Sequence, residues 1–347
     1  MNVALYPPKP RPGDLVAVIS PSSGLPGLFP LPYELGLSRL RNDFGLRVAE
    51  YPTTRTMGAT PRQRAADVNA AFADPAVKAV ISSIGGEDQI TVLPYLDREL
   101  IRACPKPFFG YSDCTNLLLF LRNLGIVAYH GGSVMAELGR PGALHPLTER
   151  SLRAALFTSG EYELSPSGDY RDVDRPWDDP RTFDGEPGTE PAEGWFWHQA
   201  DRTVEGPGWG GNLEVLSWLL MAGREVLPAE EYRGHVLFLE TSEDMPSDRE
   251  VYWILRSMGE RGLLRQFPAL LMGRAKSWSF EQPLGSPERA GYRERQRAAV
   301  LRALREYAPD AMAVFDVELG HTDPQQVIPV GGRIRVDGPA RRISVTY

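Results

Sequence analysis

The segment FFGYSDCTNLLLFL, residues 108–121, gives the strongest indication of the fold and of a catalytic site. It predicts a short strand, a tight turn with Ser112 at its apex, and a buried helix, because residues 117–121 are apolar on every side. A serine held there exposes its oxygen beside the first helical amides, as a serine nucleophile requires. The alternative is an ordinary turn in which Ser112 or Asp113 only caps the helix. The common nucleophile-elbow pattern also has a glycine two residues after the serine, where this chain has Cys114.

A serine nucleophile needs a base, and the base needs an orienting carboxylate. Of the five histidines, His321 follows the apolar run 312–317, on a loop that leaves a predicted buried strand. Glu240 stands at the end of another predicted buried strand, so the chain order would be Ser, Glu, His. Glu243 and Asp244 lie close by and are the acids most easily mistaken for the partner of the histidine. The plain alternative is a loop histidine and a surface acid with no catalytic role.

Strands and helices alternate through the first half of the chain, which predicts a parallel sheet covered by helices. The predicted strands lie at residues 15–20, 79–84, 107–111 and 126–130, and the predicted helices at 34–43, 61–73 and 94–103. Ligands of such sheets bind beyond the carboxyl ends of the strands. Gly85, Gly86 and Ser112 all fall at these ends, which indicates one shared site.

The length of 347 residues exceeds what one ordinary core accommodates, so two domains are predicted. The predicted parts are an N-terminal nucleophile domain at 1–160, a linker with a substrate-facing loop at 161–207, and a C-terminal domain at 208–347. The linker is rich in Pro, Gly and Asp, but it carries three aromatic anchors, Trp177, Trp195 and Trp197. The end of the chain, at 327–338 and 341–347, predicts hairpins with glycine-bearing turns.

Composition excludes several functional classes. The net charge of −7 and the pI of about 5.4 argue against nucleic acid as a partner. No run approaches the ~20 apolar residues of a membrane span, and residues 1–8 lack the features of a signal peptide. These patterns predict a cytoplasmic protein without a membrane partner. Cys104 and Cys114 form no disulfide framework, and neither Cys nor His recurs at zinc-ligand spacing, so no metal site is expected.

Several further motifs accompany the serine segment in a fixed order. They are PGDLVAVISPS at 12–22, RAADVNAAF at 64–72, IGG at 84–86, GGNL at 210–213, LETSED at 239–244, GHT at 320–322 and PVG at 329–331. With these motifs the chain resembles the LD-carboxypeptidase family of serine peptidases over nearly its whole length. The LETSED run favours the branch of the microcin C immunity protein over the murein-recycling branch.

The resemblance implies a role for each matching residue. Ser112 would be the nucleophile, His321 the general base and acid, and Glu240 the orienting carboxylate. The backbone amides of Gly86 and Asp113 would form the oxyanion hole. The physics agrees, because one amide directly follows the nucleophile and the other lies in a Gly-Gly turn that allows a close approach.

The resemblance also implies a fold and a reaction. The fold would be α/β, with a flavodoxin-like parallel-sheet N-terminal domain, a smaller α/β C-terminal domain with twisted β-structure, and the active site at their interface. The enzyme would be a serine carboxypeptidase without a cofactor, and it would form a homodimer. Its small-molecule substrate would be a peptidyl- or aminoacyl-nucleotide conjugate of the microcin C type. The alternatives are a murein tetrapeptide in LD-carboxypeptidase recycling, and a non-catalytic two-domain ligand-binding protein.

Three further residues are expected to contact the substrate: Gly85, Asn212 and Trp177. The immunity branch has an aromatic residue that stacks on the nucleobase where this chain has Trp177. The alternative is that Trp177 packs on its own domain or on a dimer partner. Trp195 and Trp197 are rival candidates because they lie closer to the second domain in sequence.

Overall fold

The computed structural model describes residues 4–347, so the start of the stretch assessed for a signal peptide lies outside it. The α-helices are α1 (Pro30–Asn42), α2 (Pro61–Ala73), α3 (Arg98–Ala103), α4 (Thr115–Asn123), α5 (Pro146–Phe157), α6 (Leu213–Ala222), α7 (Asp248–Glu260) and α8 (Ser286–Tyr307). The strands of the first half are β1 (Leu15–Ile19), β2 (Arg47–Glu50), β3 (Val77–Ser82), β4 (Phe108–Gly110) and β5 (Ala128–His130). Within residues 4–347, no helix is both long enough and apolar enough to span a bilayer.

The later strands follow from residue 161 onward. They are β6 (Glu161–Leu164), β7 (Asp169–Tyr170), β8 (Glu190–Pro191), β9 (Phe196–His198), β10 (Thr203–Asn212), β11 (Val236–Glu240), β12 (Ala269–Gly273), β13 (Met312–Val317), β14 (Ile328–Val330), β15 (Arg333–Asp337) and β16 (Arg342–Thr346).

The first sheet has the strand order β14-β5-β4-β3-β1-β2, and its five strands from the first half are parallel. The order 2-1-3-4-5 is that of flavodoxin-like folds, which confirms the predicted N-terminal architecture. The predicted bounds of α2 are also confirmed, and its first turn carries a complete capping box around Thr60 and Gln63. Strand β2 and helix α5 of this half were not predicted from the sequence.

The second sheet has eight strands in the order β6-β16-β15-β10-β11-β12-β13-β9. Its centre, β10 to β13, is parallel, and antiparallel strands flank it on both sides. This mixed sheet confirms the predicted α/β class of the second half. Two of its strands, β6 and β9, lie wholly within the segment predicted as a linker, and β10 begins in it. The boundaries at 160 and 207 stay predictions.

The carboxyl-terminal hairpin prediction was only partly right. Strands β15 and β16 do form an antiparallel hairpin. Residues 328–330, however, leave the second half and pair antiparallel with β5 at the edge of the first sheet. All three residues of β14 are buried, so this strand needs cover on both faces, which an exposed hairpin would not provide.

The two halves come into close contact where β10 passes the start of α4. Gly211 has a φ of 141°, and a Cβ atom added there would lie 2.5 Å from Thr115 Oγ1 and 2.6 Å from Thr115 Cγ2. The same Thr115 hydroxyl accepts a hydrogen bond of 3.0 Å from the amide of Asn212. Only glycine therefore lets the strand approach the helix that follows Ser112.

Gly211→Ala should destabilise the fold by about 1–3 kcal/mol, because the added methyl group forces strand and helix apart. Urea unfolding of the purified proteins measures the change. Gly185→Ala is the matched control, since nothing lies within 4 Å of a Cβ added there. Equal stability of the two variants would show that this contact does not constrain the fold.

Candidate active site

Ser112 occupies the turn predicted from the sequence, in a strained conformation. It follows β4 after one residue and opens a single 3-10 turn, Ser112–Cys114, that leads directly into α4. Its φ is 59°, in the left-handed region that residues other than glycine rarely adopt. Such strain persists where the surroundings hold the backbone firmly, and it is concentrated at functional sites.

Buried side chains on both sides hold this turn. Cys114 is fully buried, and its thiol donates to Ser82 Oγ at 3.1 Å, so it packs beneath the turn where the common motif has a glycine. Asp113 accepts a hydrogen bond of 2.9 Å from the amide of Gln89. The Gln89 side chain in turn accepts from the amide of Leu117 at 3.0 Å. These bonds fasten the loop that contains Gly85 and Gly86 to the turn, and burial raises the pKa of Asp113 to about 6.

The Gly85–Gly86 loop lies directly against the serine. A Cβ atom added to Gly85 would lie 2.9 Å from Ser112 Cβ, 3.1 Å from Ser112 Oγ and 3.4 Å from the amide nitrogen of Asp113. Gly86 lines the same cavity and packs against Ser22 on its other side. The structure therefore brings the predicted nucleophile and both residues of the predicted oxyanion hole to one place.

His321 and Glu240 form a short buried pair. His321 Nδ1 lies 2.6 Å from Glu240 Oε2, and the carboxylate is fully buried. Gly320 makes room for this contact, because a Cβ atom there would lie 2.6 Å from Glu240 Cβ. Burial would raise the pKa of Glu240, but the charge and hydrogen bond of His321 outweigh it and hold that pKa below its ordinary value.

The other ring nitrogen of His321 faces a second acid. His321 Nε2 lies 3.3 Å from Glu243 Oε2, and the side chain of Glu243 is 59% exposed. Burial acts to lower the pKa of His321, but the charges of Glu240 and Glu243 raise it from 6.5 to about 10. The hydrogen bonds formed by residues 4–347 do not include one between Ser112 Oγ and His321. The two residues line the same cavity, with Glu243 beside the nitrogen that would serve Ser112.

Asn212 lies beside the buried carboxylate. It pairs with Glu240 in the parallel register of β10 and β11, and its Oδ1 caps α6 by accepting from the amide of Val215 at 2.9 Å. Asn212 also lines the cavity, as its predicted substrate contact requires. Within the described chain, Asn212 Nδ2, Glu240 Oε1 and both ring nitrogens of the buried His130 have no hydrogen-bond partner.

These residues surround a cavity of about 1200 Å³ between the two halves of the chain. Trp177 lines the cavity and packs edge-on against Phe29, with ring centroids 5.9 Å apart. Its loop is tied to the loop of His321, because the backbones of Arg171 and Asp323 exchange hydrogen bonds of 2.6 and 3.0 Å.

The rival tryptophans lie elsewhere. Trp195 donates to Glu318 Oε2 at 2.7 Å, and Trp197 belongs to β9, where it pairs with Val314. Neither is among the residues that line the cavity. Of the three tryptophans considered in the sequence analysis, Trp177 is therefore the one placed to meet a ligand.

Three chemically important residues of the cavity wall, Tyr111, Glu137 and Glu214, were not predicted from the sequence. Tyr111 stacks edge-on against His321 at 5.0 Å, and its position directly before the serine was the only available signal. Burial raises the pKa of Glu137 in the wall to about 7. Glu214 accepts from the amide and the hydroxyl of Ser242 at 2.8 and 2.7 Å. Among residues 4–347, no three or more His, Cys, Asp or Glu side chains are grouped to hold a metal ion.

The raised pKa of His321 makes the stability depend on pH. A histidine whose pKa is higher in the folded state contributes fully below the unfolded pKa, near 6.5, and loses that contribution as the pH rises toward about 10. Unfolding free energies from urea titrations across this range should therefore fall as the pH rises. Glu240→Gln removes the main negative charge and should flatten this decline. An equally steep decline in Glu240→Gln would contradict the assigned pair, and Asp201→Asn, an exposed acid elsewhere, serves as control.

Comparison with known proteins identifies the family. The chain matches the LD-carboxypeptidase N-terminal domain over residues 16–131 and the LD-carboxypeptidase C-terminal domain over residues 205–336. It is 31% identical over 356 residues to a Synechocystis protein that bears the name carboxypeptidase, covering 98% of this chain and 97% of the relative. It is 28% identical to a Bacillus subtilis protein named as a murein peptide carboxypeptidase, with 94% and 90% covered. It is 25% identical to the microcin C7 self-immunity protein MccF of Escherichia coli, with 83% and 79% covered.

Solved structures have the same fold. The microcin C7 self-immunity protein MccF in complex with aspartyl sulfamoyl adenosine superposes with a TM-score of 0.85 at 22% identity, covering 99% of this chain and 98% of the other. An MccF-like protein from Streptococcus pneumoniae, solved with AMP, gives a TM-score of 0.83 at 24% identity, with 96% and 99% covered. This chain therefore belongs to the LD-carboxypeptidase family and is a serine-type carboxypeptidase.

Proposed function

We propose that this enzyme hydrolyses an amide bond through Ser112, His321 and Glu240, and that it acts on aminoacyl- or peptidyl-nucleotide conjugates. One observation carries the catalytic part. A serine with a strained backbone and a histidine paired to a buried glutamate line a single cavity. This combination is what nucleophilic acyl transfer requires. The family membership favours it over the non-catalytic ligand-binding alternative.

The residues divide the reaction between them. Ser112 Oγ attacks the carbonyl carbon of the scissile amide, and His321 Nε2 accepts the serine proton. The amides of Gly86 and Asp113 stabilise the oxyanion, and the histidine then protonates the leaving nitrogen. Water, activated by the same histidine, hydrolyses the acyl-enzyme. Glu240 holds the imidazole through Nδ1 and stabilises its charged form.

Other residues of the cavity wall support a nucleotide as leaving group. Trp177 offers an aromatic face on which a base could stack, and Arg175, two residues earlier, also lines the cavity and suits a phosphate or sulfamate. The related MccF structures with AMP and with aspartyl sulfamoyl adenosine point the same way. A murein tetrapeptide is the second candidate, because a relative that covers nearly the whole chain is named as a murein peptide carboxypeptidase. The cytoplasmic location and the homodimer stay predictions.

Ser112→Ala and His321→Ala should each reduce kcat by on the order of 10³-fold or more, because each removes a group that takes part in bond breaking. Turnover of an aminoacyl-sulfamoyl adenosine, a murein tetrapeptide and a plain dipeptide, followed by mass spectrometry, measures the loss. His198→Ala is the matched control, since this histidine lies on an edge strand outside the cavity. Near-wild-type kcat in either alanine variant would refute the proposed triad.

Trp177→Ala tests the substrate class. Loss of base stacking, worth roughly 1–3 kcal/mol, should raise KM for the nucleotide-bearing substrate about tenfold or more. Cleavage of a base-free peptide should change little, and Trp177→Phe should restore most of the affinity. Equal effects on both substrates would favour the murein alternative.

A further inference from the structure

Glu243 contacts Nε2 of His321, the nitrogen that the proposed mechanism needs as a base. Its Oε2 lies 3.3 Å from His321 Nε2, while Nδ1 is already bonded to Glu240. The two carboxylates differ in freedom, because Glu240 is fully buried and the side chain of Glu243 is 59% exposed. In the resting enzyme the imidazole is therefore held from both sides, and only the Glu243 side is free to change partner.

This wall of the cavity carries an excess of negative charge. Burial and then the charges of Glu243 and Glu87 raise the pKa of Asp244, so these acids crowd one another. The ionisable groups that face His321 come from several elements. They are Glu240 on β11, Glu243 and Asp244 on the loop after it, Glu214 on α6, Tyr111 before the nucleophile and His130 on β5.

A second and independent observation points to a positively charged ligand. Glu214 is more than nine-tenths buried and lines the cavity, and its Oε1 accepts both hydrogen bonds from Ser242. Within the described chain, its Oε2 has no partner. Burial and the neighbouring Glu240 raise the pKa of Glu214 to about 7, so a cation in the cavity would favour its charged form.

We propose that Glu243 binds the free α-ammonium group of the substrate's acyl residue and in doing so leaves His321 Nε2 free to serve Ser112. The inference rests on the proposed function. The α-nitrogen is two bonds from the carbonyl carbon that Ser112 attacks, so a correctly placed carbonyl brings the ammonium group close to His321 and Glu243. An acyl residue whose nitrogen is already part of a peptide bond carries no such charge. The enzyme then prefers aminoacyl conjugates to peptidyl conjugates.

Binding of the ammonium group also prepares the base. The resting imidazolium of His321 loses its contact with the Glu243 carboxylate, which had stabilised the proton on Nε2. The ammonium group of the substrate also brings a second positive charge close to the ring. Both changes lower the pKa of His321, and the proton passes to water. The neutral Nε2 can then accept the proton of Ser112. Recognition of the acyl residue and activation of the histidine thus become one event.

The experiment compares two ligands on the Ser112→Ala protein, which cannot turn them over. Calorimetry measures binding of an aminoacyl-sulfamoyl adenosine and of its N-acetyl derivative. We expect the N-acetyl compound to bind about tenfold or more weakly, the effect of losing one charge-assisted hydrogen bond. Adding Glu243→Gln should remove this difference, whereas adding Asp201→Asn, which deletes an exposed acid elsewhere, should preserve it.

The outcomes separate the two proposals. Equal affinity for both ligands in the Ser112→Ala protein overturns the role of Glu243 and leaves the nucleotide-conjugate function standing. Binding of neither ligand overturns both. An NMR titration of the His321 ring gives a readout independent of these ligands. The pKa of His321 should fall in Glu243→Gln, and an unchanged value would also overturn the inference.

Discussion

The close approach of β10 to the start of α4 is the constraint on which the rest of the structure depends. Thr115 lies three residues after Ser112, and its hydroxyl accepts a hydrogen bond from the amide of Asn212. Next to this bond, Thr115 fills the space that a side chain at Gly211 would need. Asn212 in turn lies opposite Glu240 in the second sheet. One contact, between the backbone of β10 and the side chain of Thr115, thus sets the distance between the nucleophile on one half and the carboxylate on the other.

The local elements around the serine could be predicted because their causes are local. An apolar helix directly after a short strand fixes the turn at Ser112, and the glycines at 85 and 86 permit a close approach that a side chain would block. Glu240 was chosen as the partner of His321 because it stands at the end of a predicted buried strand, and the family resemblance implied the same role. The end of the predicted strand separates the buried Glu240 from Glu243 by only three residues, so the pattern favours Glu240 but leaves Glu243 as the nearest rival.

The unpredicted features depend on contacts between distant parts of the chain. Strand β14 has three buried residues, and nothing in so short a run reveals which sheet it joins. Likewise, Glu214 belongs to the second half, and it joins Tyr111 and Glu137 of the first half in the wall of one cavity. The ion contact of Glu243 depends on the path of the loop after β11, which the spacing of acids in the sequence does not specify.

The pairing of β14 with β5 has a consequence for how the chain is made. The first sheet remains incomplete until residues 328–330 have been synthesised, long after the β5 residues with which they pair. Until then β5 is an open edge whose unpaired backbone groups can join another strand. The N-terminal half therefore cannot reach its final form early on the ribosome, although its other strands and helices are already present. Strand β14 acts as a late closing strand, and a truncation before it would leave a protein prone to self-association.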